Sequence, residues 1–208
     1  MLTSKKAGNI LVIFLQVGLF LSLFSLLGST IMTLTPNWYD AYFSSLDDFI
    51  TLFNILLWIL TILVFFTWLY QVHLDVRKFD PVYPIKPTWS ICSFIIPFYS
   101  LYGIWNVFSK LAAFFITDGR NAIKEGQQLR AYLPWYYLVF FMFNMINRVI
   151  EKMPDVVNAL FILSSFIEAL FTLICLQMTR TIISGLEALS HSTPESHGQE
   201  NTDSTFAT

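Results

Sequence analysis

Glu168 is an acidic residue inside an apolar run, Val156 to Met178, where acids are rare. Ser165, Glu168, Thr172, Cys175 and Thr179 follow one another at separations of three, four, three and four residues. With 3.6 residues per helical turn, that spacing puts all five on one face. An ionisable group at mid-bilayer is costly, so it faces protein or water rather than lipid. Such a carboxylate can hold a proton or cation, meet a lipid headgroup, or accept hydrogen bonds that tie helices together. On the preceding apolar run Asn144, Asn147 and Arg148 cluster in the same way. The short turn between the runs predicts antiparallel neighbours sharing a polar seam of Asn144, Asn147, Arg148, Ser165, Glu168 and Thr172. Arg148 is the expected partner of Glu168, and interhelical bonding or partner contact is favoured over ion handling.

A second seam lies near the N-terminus. Gly18, Ser22, Ser25 and Ser29 repeat at four, three and four residues, and a stripe of small residues lets another helix approach closely. Asn54, Trp58 and Thr61 on the next apolar run are the expected internal neighbours, with another subunit as the alternative.

Other reactive residue types lack the company that chemistry needs. His73 and Asp75 sit beside Arg77, Lys78 and Asp80, but no further ligands accompany them, so a solvated juxtamembrane loop is expected rather than a metal site. Ser, His and acid recur around His191 and His197, in a polar tail that cannot preorganise a nucleophile, its base and oxyanion donors. The chain contains no Gly-rich phosphate loop, His-Glu-x-x-His or Cys-x-x-Cys. No catalytic residue, metal or cofactor is therefore expected. Cys92 and Cys175 both fall in apolar segments, which argues against a disulfide framework.

The elements that must carry these residues are set by hydropathy. The 208 residues are 55% hydrophobic and 12% charged, with mean hydropathy +0.60, whereas soluble domains are about 25% charged. The net charge of -2 gives no reason to invoke nucleic acid. A bilayer core of ~30 Å needs ~20 apolar residues in a helix. Ile10 to Met32, Phe49 to Val72, Tyr132 to Ile150 and Val156 to Met178 meet or approach that length. The runs are continuous rather than alternating, so helices and not a barrel are expected. Lys5 and Lys6 precede the first run as in a secretory signal, but it exceeds the usual ~7 to 15 residues and has no small-x-small site, so it reads as a retained span.

A fifth segment, Trp89 to Phe115, is broken around Pro97 and followed by Ser100 and Gly103, all poor helix formers. If it crossed the membrane, basic residues would divide seven inside and five outside. If it turns back, Lys5, Lys6, Arg77, Lys78, Lys86, Lys110, Arg120, Lys124, Arg130 and Arg180 share the inner side, leaving Arg148 and Lys152 outside. Ten against two fits the positive-inside bias better. Trp89, Pro97, Ser100 and Gly103 therefore mark a re-entrant hairpin. Beyond it Ile104, Val107, Phe108, Leu111 and Phe115 recur at helical spacing opposite Asn106, Lys110 and Ala113, the pattern of an amphipathic helix in the interface. Trp38, Tyr39, Tyr42, Trp68, Tyr70, Trp135, Tyr136 and Tyr137 sit at run ends, as interfacial aromatics do.

Trp68-Leu69-Tyr70, Pro87-Thr88-Trp89, Phe94-Ile95-Ile96-Pro97 and Leu101 together resemble a bacterial family of polytopic membrane proteins known only as a domain of unknown function. Its mark is a tryptophan eight residues before the proline of a Phe-Ile-Pro-like run, and the likeness covers about Phe65 to Phe115. The chain departs from that pattern at Gln71, Asp75, Ser100, Ile104 and Lys110. The resemblance implies the membrane architecture and no activity.

The expected protein is thus all-α: a helical bundle of four transmembrane helices with a re-entrant hairpin and an interfacial helix. Residues 1–189 form a single transmembrane domain and residues 190–208 a disordered polar tail. Both termini are expected in the cytoplasm and the protein in the plasma (inner) membrane. Its expected role is non-enzymatic, as an accessory or scaffold subunit of a membrane complex or homo-oligomer. The alternative is a channel or transporter with Glu168 on an ion or proton path.

Overall fold

A computed structural model of the chain describes residues 2–95, 99–117, 121–152 and 158–191. The described residues are almost wholly helical: α1 (Ser4–Leu34), α2 (Pro36–Tyr42), α3 (Ser44–Phe79), α4 (Pro87–Ile95), α5 (Tyr99–Thr117), α6 (Ile123–Lys152) and α7 (Asn158–His191). Among the described residues three helices are long and apolar enough to cross a membrane: α1, α3 and residues 159–191 of α7. The chain is therefore a helical membrane protein. The fourth expected span, Tyr132 to Ile150, lies within α6, a 30-residue helix that is not among those three. Lys124, Glu125 and Arg130 occupy its first turns, and Asn144, Asn147, Arg148 and Glu151 its last, so its apolar middle is short.

Side-chain contacts give the helix directions. Lys5 meets Glu187 at 2.8 Å, the Cα of Gly8 lies against Ile183, and Ser22 reaches Glu168, so α1 and α7 run antiparallel along their length. Thr3 bonds Asp75 and Gly28 lies against Asp47, so α1 and α3 are antiparallel too. The start of α1 and the ends of α3 and α7 consequently share one end of the bundle, here the terminal end. Arg77 and Lys78 in the last turn of α3 suit the negative end of its dipole. At the opposite end Pro36 opens α2, where a missing N–H costs nothing. The phenol of Tyr39 on α2 donates to Asp47 Oδ2 at 2.6 Å, and burial together with that bond pushes it well above the usual tyrosine range.

From the end of α3 the chain has to reach the opposite end by Asn158. α4 runs back into the bundle until Phe94 packs on Phe65 and Phe66, ring centroids 5.2 and 6.2 Å away. Those α3 residues lie ~20 Å from Phe79 at 1.5 Å per residue. α5 then folds back along α4, with Gly103 against Ser93 and Phe108 6.1 Å from Phe94. It returns to the terminal end, where Phe114 meets Tyr83 and Phe115 meets Gly185. α4 and α5 thus pack antiparallel, with the start of α4 and the end of α5 together, and do not form a single kinked rod. Pro97 lies outside the described residues, as does the side chain of Ser100. α6 leads the chain to the opposite end of the bundle, antiparallel to α7: Tyr136 and Phe143 pack on Phe171 and Asn147 meets Ser164.

The core sits at the terminal half. Trp68, Leu69, Val72 and Val76 of α3, Val107, Leu111 and Phe115 of α5, Leu129 and Leu133 of α6, and Ile182 and Leu186 of α7 are all buried there. The apolar face expected on α5 exists, but Ile104, Val107, Phe108, Leu111 and Phe115 are covered by protein instead of facing lipid. Opposite them Tyr102, Trp105 and Lys110 are exposed. α7 runs as helix through His191, past the expected boundary at 189; residues 192–208 of the expected tail lie outside the described residues.

Candidate functional site

The two polar stripes read from the sequence face each other. Gly18 of α1 lies 3.8 Å, measured from an ideal Cβ, from Thr172 Cγ2 of α7. Ser22 Oγ donates to Glu168 Oε1 at 3.3 Å, and Ser165 Oγ pairs with Ser25 Oγ at 3.5 Å and Ser29 Oγ at 3.3 Å. Antiparallel helices with matching three-and-four spacings stay in register over about two turns, which is why Gly18 to Ser29 of α1 faces Ser165 to Thr172 of α7. The hydroxyl of Thr172 turns back to Glu168 O at 2.9 Å, leaving its methyl group toward Gly18. α3 adds Asn54, whose Nδ2 donates to Glu168 Oε1 at 3.3 Å.

Glu168 is half-buried at this three-helix junction. Among the described residues both of its acceptor contacts fall on Oε1. The four interhelical bonds, at 3.3 to 3.5 Å, are longer than the ~2.8 Å typical of strong hydroxyl bonds, so the junction is polar but loosely tied. A carboxylate in that setting can take a further donor at Oε2, whether from a proton, a cation or another helix.

This corrects two expectations. Arg148 is not the partner of Glu168: it is exposed on α6, and α7 meets α6 through the face that carries Ser164, whose Oγ donates to Asn147 Oδ1 at 2.8 Å. Asn144 is exposed and bonds Phe140 O within its own helix at 2.8 Å. The stripe of α1 likewise packs chiefly on α7 rather than α3. Trp58 is exposed, and the hydroxyl of Thr61 is spent on Leu57 O of its own helix. In the hairpin, Gly103 is in tight contact with Ser93, whose Cβ and O would lie 2.6 and 2.7 Å from an added Cβ. Trp89 is exposed.

A second polar cluster lies at the terminal end, where the sequence predicts a solvated loop. His73 and Asp75 are instead helical and fully buried, because the apolar spacing of Leu69, Val72 and Val76 continues past the hydrophobic run and carries His73 on the same face. Asp75 Oδ1 accepts from Thr3 Oγ1 at 2.9 Å and from Lys78 Nζ at 2.5 Å. Its Oδ2 accepts from Ser4 N at 2.8 Å. Asp75 thereby caps α1 from another helix, where the first N–H groups are unsatisfied and an anion is favoured. His73 does not join it. Its ring packs 5.7 Å from that of Tyr83, and neither nitrogen has a hydrogen-bond partner among the described residues. Burial, then Asp80, pushes the Tyr83 phenol above its ordinary range. Among the described residues no group of three or more His, Cys, Asp or Glu side chains could hold a metal ion.

Compared with protein-family models, curated proteins and solved structures, the chain matches none.

Proposed function

We propose that the protein is a non-enzymatic subunit of the plasma (inner) membrane that crosses it four times and seats another membrane helix, from a second copy or a partner protein. In this reading α6 is the fourth crossing. Supporting it is the path of the chain: α3 ends and α7 begins at opposite ends of the bundle, and α4 with α5 returns to its starting end. The hairpin is then re-entrant from the cytoplasm. The terminal end, with Lys5, Lys6, Arg77, Lys78, Lys124 and Arg180, is the inner side, in line with the positive-inside bias. α5, its apolar face covered, is the returning arm, turning Trp105 and Lys110 outward.

The observation that carries the seating role is the outer half of α3. From Phe49 to Leu63 it is covered along a narrow strip that includes Leu57, while Leu52, Leu56, Trp58, Ile59 and Leu63 are exposed. Glu168 and Asn54 form a polar contact beside that uncovered half, and interhelical polar contacts in lipid are a recurrent glue. To test this, Trp58→Cys in a chain lacking Cys92 and Cys175 is treated with a bifunctional thiol reagent in native membranes. Cross-linking into a species of defined stoichiometry that survives mild detergent is expected. A chain that stays a lone monomer in both conditions overturns the reading.

A second reading has one observation in its favour: the half-buried carboxylate of Glu168 ringed by Ser22, Asn54 and Ser165, which suits a proton or cation path. Reconstituted protein would then move protons or cations, and Glu168→Gln would abolish the movement. No flux, or flux unchanged by the substitution, removes it.

A further inference from the structure

At the terminal end, α1, α3 and α7 leave an open cavity of about 770 Å³. Lys5, Lys6 and Asn9 of α1, Lys78 of α3 and Glu187 and His191 of α7 line it, while Leu2 and Phe79 supply apolar wall. Two of the lysines are held in place by acids: Lys5 by Glu187 at 2.8 Å and Lys78 by the buried Asp75 at 2.5 Å. An ammonium group carries three N–H donors, so each keeps donors for a ligand after its ion pair is made. Lys6 is exposed and has no acid partner among the described residues, which leaves the cavity one unmatched positive charge. Its depth is informative. Asn9 immediately precedes the apolar run from Ile10, Lys78 lies six residues past Val72, and these positions flank the hydrocarbon at the level of lipid headgroups.

We infer that this cavity binds the phosphate of an anionic phospholipid on the inner leaflet, with Lys6 as the principal cation, Lys5 and Lys78 as oriented donors, and Leu2 and Phe79 against the glycerol and upper acyl chains. Basic pockets between transmembrane helices on the cytoplasmic side suit such headgroups. A membrane lipid fits better than a soluble phosphate because the charged groups sit at the bilayer edge and share the cavity with apolar side chains. The inference rests on the membrane reading above, but not on the seating of a partner helix.

The test is native mass spectrometry of the full chain in mild detergent, with phosphatidylglycerol or phosphatidylcholine added at equal concentration. Phosphatidylglycerol is expected to be retained preferentially and to survive an excess of inorganic phosphate. Lys6→Gln is expected to lower its retention about fivefold, Lys6→Arg to restore it, and Lys124→Gln, on the first turn of α6 and away from the cavity, to leave it unchanged. Equal retention of the two lipids overturns the inference, as does an equal loss in Lys6→Gln and Lys124→Gln. Displacement of the lipid by inorganic phosphate would reassign the site to a soluble phosphate. The same spectra report stoichiometry: a lone monomer that selects phosphatidylglycerol contradicts the seating role and leaves this site intact, and an unselective oligomer does the reverse.

Discussion

Ser22 of α1 and Glu168 of α7 are 146 positions apart in the chain, and Ser22 Oγ donates to Glu168 Oε1 at 3.3 Å. The contact joins the first and last helices at the point where Asn54 arrives from α3, so three helices share one carboxylate oxygen. Glu168→Leu removes both bonds and is expected to lower stability in detergent by about 1 to 3 kcal/mol. In a double-mutant cycle Ser22→Ala and Glu168→Leu should show a coupling of about 0.6 kcal/mol. Strict additivity would mean that the two residues are neighbours without interacting.

Two glycines picked out by the sequence are expected to behave differently. At Gly103 an added Cβ would meet the Ser93 carbonyl oxygen at 2.7 Å, and that backbone atom cannot step aside. Gly103→Ala should separate α4 from α5 and cost about 1 to 3 kcal/mol. At Gly18 the nearest atom is 3.8 Å away, an ordinary contact, so Gly18→Ala should be tolerated. Thermal unfolding of both variants checks the contrast, and equal behaviour would contradict it.

Asp75 ties the start of α1 to the end of α3. Asp75→Ala strips partners from Thr3 Oγ1 and Ser4 N, and bonds to a charged acceptor contribute about 1.5 to 3 kcal/mol each at most. Lys78 is half exposed, so its loss of a partner adds little. Lower stability is expected, together with faster proteolysis of the first residues of α1. Unchanged protection would mean that α1 needs no cap from α3.

His73 is the opposite case. Its imidazole is fully buried and both nitrogens lack partners among the described residues, an arrangement that costs about 1 to 3 kcal/mol in desolvation. His73→Leu keeps the contact with Tyr83 and should raise the unfolding midpoint. A fall would show that the imidazole makes bonds worth more than its desolvation.

The long helices α1, α3 and α7 are legible because an apolar run long enough to span a bilayer has few other solutions. The return of α5 along α4 agrees with the turn expected from the basic residues and from Pro97. The partners of the polar stripes were not legible. Spacing identifies the face that Ser22 or Glu168 occupies but not which helix lies opposite, and sequence proximity favoured α3 and α6 over each other's helix. One signal was available, since the four-three-four pattern of Gly18 to Ser29 matches that of the α7 stripe. Asp75 and His73 differ from the expectation because charge suggests water, whereas α3 continues as helix to Phe79 and Tyr83, backed by Phe114 of α5, packs over His73.

The central claim is that α4 and α5 dip into the membrane and come back, which fixes the side of every later connection. Asn121, exposed just after α5, reports on it directly. In a chain carrying Asn121→Cys, Cys92→Ser and Cys175→Ser, an impermeant maleimide applied to intact cells is expected to leave the cysteine unlabelled until the cells are lysed. Labelling of intact cells would place residue 121 outside and contradict the account.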